Sequence, residues 1–168
     1  PNYKRSAILN RRVQGLVSLG LGQLWFGEKV WNHQDKGLWL SNGVPAFLGL
    51  RFYEHQYGPN AGIFHFIDWL NPRYRDHFFE DMALGISEDH RTPILSSFQA
   101  SDDSYSHLQT VTYKTAMVLS MLEHLIGPEP FRIGLRKYLD RYQHQVAGLE
   151  KFQQVFNEVY QYSSGVLI

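Results

Sequence analysis

A helix presents two metal ligands on one face when histidines stand four apart, because positions i and i+4 lie one above the other. The chain has eight histidines, His33, His55, His65, His77, His90, His107, His124 and His144, and no two are four apart. His65 with Asp68, and His77 with Glu80, stand at i,i+3 and read as surface polar pairs. Glu88-Asp89-His90 and Asp102-Asp103 fall in a polar stretch and read as solvated. There is no cysteine, which excludes thiolate metal sites and disulfides. No G-x-S-x-G element for a serine nucleophile is present. Gly20 and Gly22 lie inside a helical pattern and not after a strand, so no phosphate-cradling loop is indicated.

The elements that would position such residues are helical. Leu9, Val13, Leu16, Val17, Gly20 and Leu24 recur mainly at spacings of three and four. That pattern predicts a largely buried helix over residues 8–25. Gly20 and Gly22 each cost about 1 kcal/mol against alanine there, so tertiary contacts must hold the turn, and glycine lets another backbone come close. A polar loop follows (31–37), then a helix from about Leu38 or Ser41 to His55. In it Pro45 suits the first turn and Ser41 or Asn42 suits the N-cap. Further helices are predicted at 60–70, 72–84, 111–125, 129–142 and 148–161, with residues 85–106 as a long polar connection. No run alternates as a strand should. The prediction is a single all-α domain of six or seven helices over residues 1–168.

Apolar residues make up 43% of the chain and charged residues 19%, which marks a folded chain rather than a disordered one. The formal net charge is zero, which argues against a general nucleic-acid binder. Arg11-Arg12 and Arg73-Tyr74-Arg75 read as solvated helix faces. No stretch reaches the roughly 18 apolar residues of a membrane span. Residues 1–8 lack a signal-peptide core. The chain starts on Pro1, so it is expected to be a piece of a longer protein, and its compartment is left open.

Two short segments carry a resemblance. Trp25-Phe26-Gly27 matches the end of the H-E-x-x-H-Q-W-F-G helix of zinc aminopeptidases of the aminopeptidase N type, which are thermolysin-like gluzincins. Leu38-Trp39-Leu40-Ser41-Asn42-Gly43 matches that family's L-W-L-N-E-G segment without a gap. In the family the third zinc ligand follows the second histidine after 18 intervening residues. Anchored on Trp25-Phe26-Gly27, that count runs from Gln23 to Asn42, so the two segments agree in register. Downstream, Arg91-Thr92-Pro93-Ile94 stands where the family often has H-P-I. YKTAMVLSML (113–122) and GPEPFRIGLRKY (127–138) resemble successive family helices. The resemblance covers most of the chain and implies the helical half of the catalytic domain. The family's G-x-M-E-N strand and β-rich N-terminal domain have no counterpart here.

The resemblance also implies what has changed. Leu19, Gly20 and Gln23 stand at the His, Glu and His positions, and Asn42 at the ligand glutamate. Leucine offers zinc nothing, and neutral amides are poor replacements for imidazole and carboxylate. Glycine cannot act as a general base. Without the metal, water keeps a pKa near about 15.7 instead of about 7. The family's oxyanion-stabilising tyrosine falls on Thr112 in a gapless match and on Tyr113 if one residue is missing. His33, between the two segments, is the candidate for a residual ligand. The expectation is therefore an aminopeptidase-like domain with no inherited catalytic residues and no metal or cofactor. It would act as a scaffold or as a protein- or peptide-binding module. The alternative is a metallopeptidase relative with a non-standard metal site. A vacated site would also leave a polar gap, in which Gln23 and Asn42 are expected to hydrogen-bond to each other.

Overall fold

The computed structural model describes residues 2–32, 37–59 and 104–164. The described chain is helical: α1 (Asn2–Trp25), a π-helical turn (Trp39–Gly43), α2 (Val44–Tyr57), α3 (Ser104–Ile126), α4 (Pro128–Tyr142) and α5 (Leu149–Ser164). Its β pairing amounts to isolated bridges, Phe26 with Val30 and Trp31 with Val146. The predicted all-α class is what the structure has, with five α-helices among the described residues. The predicted helices at 60–70 and 72–84 lie outside them.

Helix α1 packs on α2, α2 on α3, and α4 on α3 and α5. The core is strongly aromatic. Phe131 lies between Phe47 and Phe156, with ring centroids 5.1 and 5.2 Å away. Phe152 stacks on Phe156 at 4.3 Å and takes the edges of Trp39 and Tyr138 at 5.3 Å each. Phe131 and Tyr138 stand on α4, Phe152 and Phe156 four apart on α5, and all six of these rings are buried. The Tyr138 hydroxyl donates to the Ala147 carbonyl at 2.9 Å, so its one buried polar group is satisfied. Burial, with Tyr142 beside it, pushes the Tyr138 pKa above its usual value.

Three sequence expectations need correction. Helix α1 is not largely buried: Val13, Leu16, Val17, Leu21 and Leu24 all stay about half exposed. Its inner face uses small residues instead. A Cβ on Gly15 would meet the Tyr53 hydroxyl at 2.6 Å, and one on Gly22 would meet Pro45 at 2.9 Å, while Ser18 lies against Gly49. Close backbone approach, and not bulk, makes this seam. Second, neither Ser41 nor Asn42 caps α2. The helical path already runs through the π turn, the residue before α2 is Gly43 in αR conformation, and no terminus exists there to cap. Pro45 does sit in the first turn of α2. Third, α3 begins at Ser104, inside the stretch predicted as a connection.

Candidate functional site

Helix α1 ends in a turn that residues 26–31 close. Phe26 N–H donates to Gly22 O at 2.9 Å, and Glu28, Lys29 and Val30 N–H reach back five residues to Gln23, Leu24 and Trp25 carbonyls. Gly27 has φ +137°, a conformation that side chains disfavour, which explains glycine at the end of Trp25-Phe26-Gly27. Phe26 is buried and stacks on Tyr138 at 6.4 Å, while Trp25 is half exposed. Past this turn the backbone is held to the α4–α5 connection. Trp31 N–H donates to Gln145 O at 3.0 Å, Ala147 N–H to Trp31 O at 2.9 Å, and His144 N–H to Lys29 O at 2.6 Å. The exit from α1 is therefore fixed on both sides.

The second segment is held as firmly. Trp39 and Leu40 are buried. At Gly43 the Thr115 side chain of α3 lies so close that no Cβ would fit. The π turn is a wider helical turn than an α turn, closed here by Val44 N–H donating to Trp39 O. Such single turns recur at functional sites. Asn42 projects from it.

These two frames bring Gln23 and Asn42 together. Gln23 Nε2 donates to Asn42 Oδ1 at 2.9 Å, a bond between residues 19 apart in sequence. Asn42 Nδ2 continues to Ser41 Oγ at 3.3 Å, and Ser41 Oγ to Gly37 O at 3.4 Å. The expected amide pair is present. Leu19, one turn before Gln23, is half-buried and packs against the hydrophobic core. Gly20 is exposed, and a Cβ there would have nothing within 4 Å. Thr112 and Thr115 are three residues apart on α3, so they lie within about 60° on the helix, and Thr115 faces the π turn. Tyr113 lies about 160° round from Thr115 and belongs to the buried core. Thr112 Oγ1 donates to Leu108 O at 2.6 Å.

The Peptidase family M1 domain pattern matches residues 1–166. The chain belongs to peptidase family M1. Among curated relatives it is 29% identical to glutamyl aminopeptidase of Homo sapiens over 161 residues, 92% of this chain and 16% of that protein. It is 30% identical to aminopeptidase A of Gloydius brevicauda over 161 residues, with 93% and 16% covered. It is also 30% identical to puromycin-sensitive aminopeptidase of Caenorhabditis elegans over 141 residues, with 81% and 14% covered. The chain spans about one sixth of the length of the first two of these relatives.

The zinc that the family implies does not suit these side chains. Leu19 and Gly20 carry no donor, and Gln23 and Asn42 are neutral amides that satisfy each other. Among the described residues no three His, Cys, Asp or Glu side chains gather as a metal group would need. His33, His65 and His77 lie outside those residues, as do Arg91-Thr92-Pro93-Ile94 and the acidic residues of 85–103. Sequence reasoning anticipated the Gln23–Asn42 contact. It missed the π turn, which has no sequence signature here apart from Gly43 against Thr115, visible only once α3 is placed.

Proposed function

We propose that this M1 chain is an aminopeptidase-like domain without metal-dependent hydrolysis, acting as a protein- or peptide-binding module. The Gln23–Asn42 hydrogen bond carries this reading. Two groups that would each have to bind a cation instead bond one another at 2.9 Å. A donor nitrogen aimed at an acceptor oxygen is an arrangement suited to a site without a cation. The neighbouring changes point the same way. Leu19 contributes apolar volume to the core, and Gly20 stands where the family has its general base. The bound class suggested by the relatives' names is a peptide. The turns around the pair are tied down by Trp31 bonding to Gln145 and Ala147 and by Gly43 against Thr115.

The test is metal content together with turnover. The protein is dialysed against dilute zinc, and zinc is measured by elemental analysis beside hydrolysis of aminoacyl-anilide substrates. The expected result is far below one equivalent, no turnover, and a melting temperature indifferent to chelator. One equivalent of zinc with chelator-sensitive stability would overturn the proposal and favour a non-standard metal site that includes His33. Restoration is the positive control. Leu19→His, Gly20→Glu, Gln23→His and Asn42→Glu together should confer chelator-sensitive zinc binding, because the backbone already brings positions 23 and 42 within hydrogen-bond reach.

A further inference from the structure

Asn42 is followed by Gly43, and this is the one Asn-Gly step in the chain. Asn2, Asn10, Asn32, Asn60, Asn71 and Asn157 all precede larger residues, and no Asp-Gly step occurs. An asparagine before glycine carries its own electrophile and nucleophile. The Gly43 peptide nitrogen, having lost its proton to base, attacks Asn42 Cγ. The new N–C bond forms, the Cγ–Nδ2 bond breaks, and the leaving nitrogen takes a proton from water and departs as ammonia. Water then opens the cyclic imide at one carbonyl or the other, giving aspartate or isoaspartate. Glycine favours the attack because it has no Cβ to shield its nitrogen.

The fold opposes that attack at three points. Ring closure needs Asn42 turned so that the Gly43 nitrogen approaches its side-chain carbon, and helical backbone holds that nitrogen out of line. Asn42 lies inside the π turn, Gly43 is helical at φ −68° and ψ −44°, and Val44 N–H donating to Trp39 O closes the turn around both. Gly43 has little room to swing, because the Thr115 side chain stands 2.3 Å from where its Cβ would lie. The Asn42 amide is also engaged at both atoms. Its Oδ1 accepts from Gln23 Nε2 at 2.9 Å, and its Nδ2 donates to Ser41 Oγ at 3.3 Å. The step that is reactive by sequence is thus restrained by structure.

We propose that Asn42 is a deamidation site latched by the π turn and by Gln23: its amide converts only while the turn is open, and the isoaspartyl product keeps the turn from closing again. Local openings of this kind occur below global unfolding. The isoaspartyl form adds one carbon to the main chain between residues 42 and 43, where Thr115 leaves no space. The reaction needs water alone, and its first step lies within two adjoining residues. It does not rest on the proposed loss of hydrolysis, since its test reads an amide and not zinc or turnover.

The protein is incubated in mildly alkaline buffer, native and in guanidinium chloride, and peptides carrying residue 42 are followed by mass spectrometry that separates asparagine, aspartate and isoaspartate. In denaturant Asn42 should convert faster than the other asparagines of residues 1–168 and give both acids. In native buffer it should convert at least about tenfold more slowly, the factor being the ratio of closed to open turn. Gln23→Ala should raise the native rate about two- to tenfold, the weight of one hydrogen bond, and leave the rate in denaturant unchanged. Isolated isoaspartyl protein should melt below the unconverted protein. Equal rates in the two conditions, faster conversion of another of these asparagines in denaturant, a native rate indifferent to Gln23→Ala, or an unchanged melt of the isoaspartyl form would each overturn the proposal. If Gln23→Ala does not fold, Gln23→Met, close in size and without the donor, gives the same reading.

Discussion

Gly20 and Gly22 are two residues apart in one helix, yet replacing each by alanine should have opposite consequences. Alanine gains about 1 kcal/mol over glycine in a helix interior, and both positions collect that gain. At Gly20 the added methyl meets nothing within 4 Å, so Gly20→Ala should stabilise by nearly the full amount. At Gly22 it would lie 2.9 Å from both Cα and Cβ of Pro45. A backbone atom in a proline at the start of α2 cannot rotate away, so α1 and α2 must separate slightly. Overpacking of this kind costs about 1–3 kcal/mol, which leaves Gly22→Ala between neutral and about 2 kcal/mol destabilised. The two variants should therefore differ by about 1–3 kcal/mol. For a domain of this size each kcal/mol moves the melting temperature by about 2–4 °C. Equal shifts for the two variants, or a more stable Gly22→Ala, would refute the close seam between α1 and α2.

Removing either amide of the Gln23–Asn42 pair should cost stability, and the double-mutant cycle of Gln23→Ala with Asn42→Ala should show a coupling of about 0.5–1.5 kcal/mol by chemical denaturation; additive effects would place the two groups apart. Gly43→Val should be strongly destabilising by the same melts, because its side chain would overlap Thr115, and a Thr115→Ala background should relieve part of the loss. Hydrogen bonds from Arg141 and then Lys137 hold the Glu158 carboxyl down at about 2. Because its folded value lies below its unfolded one, this stabilisation is complete above the unfolded value near about 4.3 and is lost as pH falls toward about 2. Glu158→Gln should accordingly lower the melting temperature at neutral pH by only about 1–3 °C, the pair being solvent-screened, and the difference from the unmodified chain should vanish near pH 2.

Much of this protein was legible in its residues. Hydrophobic spacing located α4 and α5 and their buried faces, since Phe131, Leu135, Phe152, Val155 and Phe156 recur with helical period and a helix has only one way to bury such a stripe. Two short segments in matching register singled out Leu19, Gly20, Gln23 and Asn42 for comparison, because ligand chemistry is a property of residue type. The partnership of Gln23 with Asn42 could be expected from that register alone.

Periodicity misread α1. A stripe of large apolar residues usually faces the core, but here it faces out. Sequence records which residues share a face and not which face the neighbouring helix chooses. That choice fell to Gly15, Ser18 and Gly22, whose small size lets Tyr53, Gly49 and Pro45 of α2 come close. The π turn at Asn42 was equally hidden, and so was the approach of Thr115 of α3 to Gly43 at its end. Residue identity fixed the groups that meet at the site, two neutral amides at Gln23 and Asn42. Only the packing of α1, α2 and α3 decided where its groups stand, since contact between helices depends on the shapes of both surfaces at once.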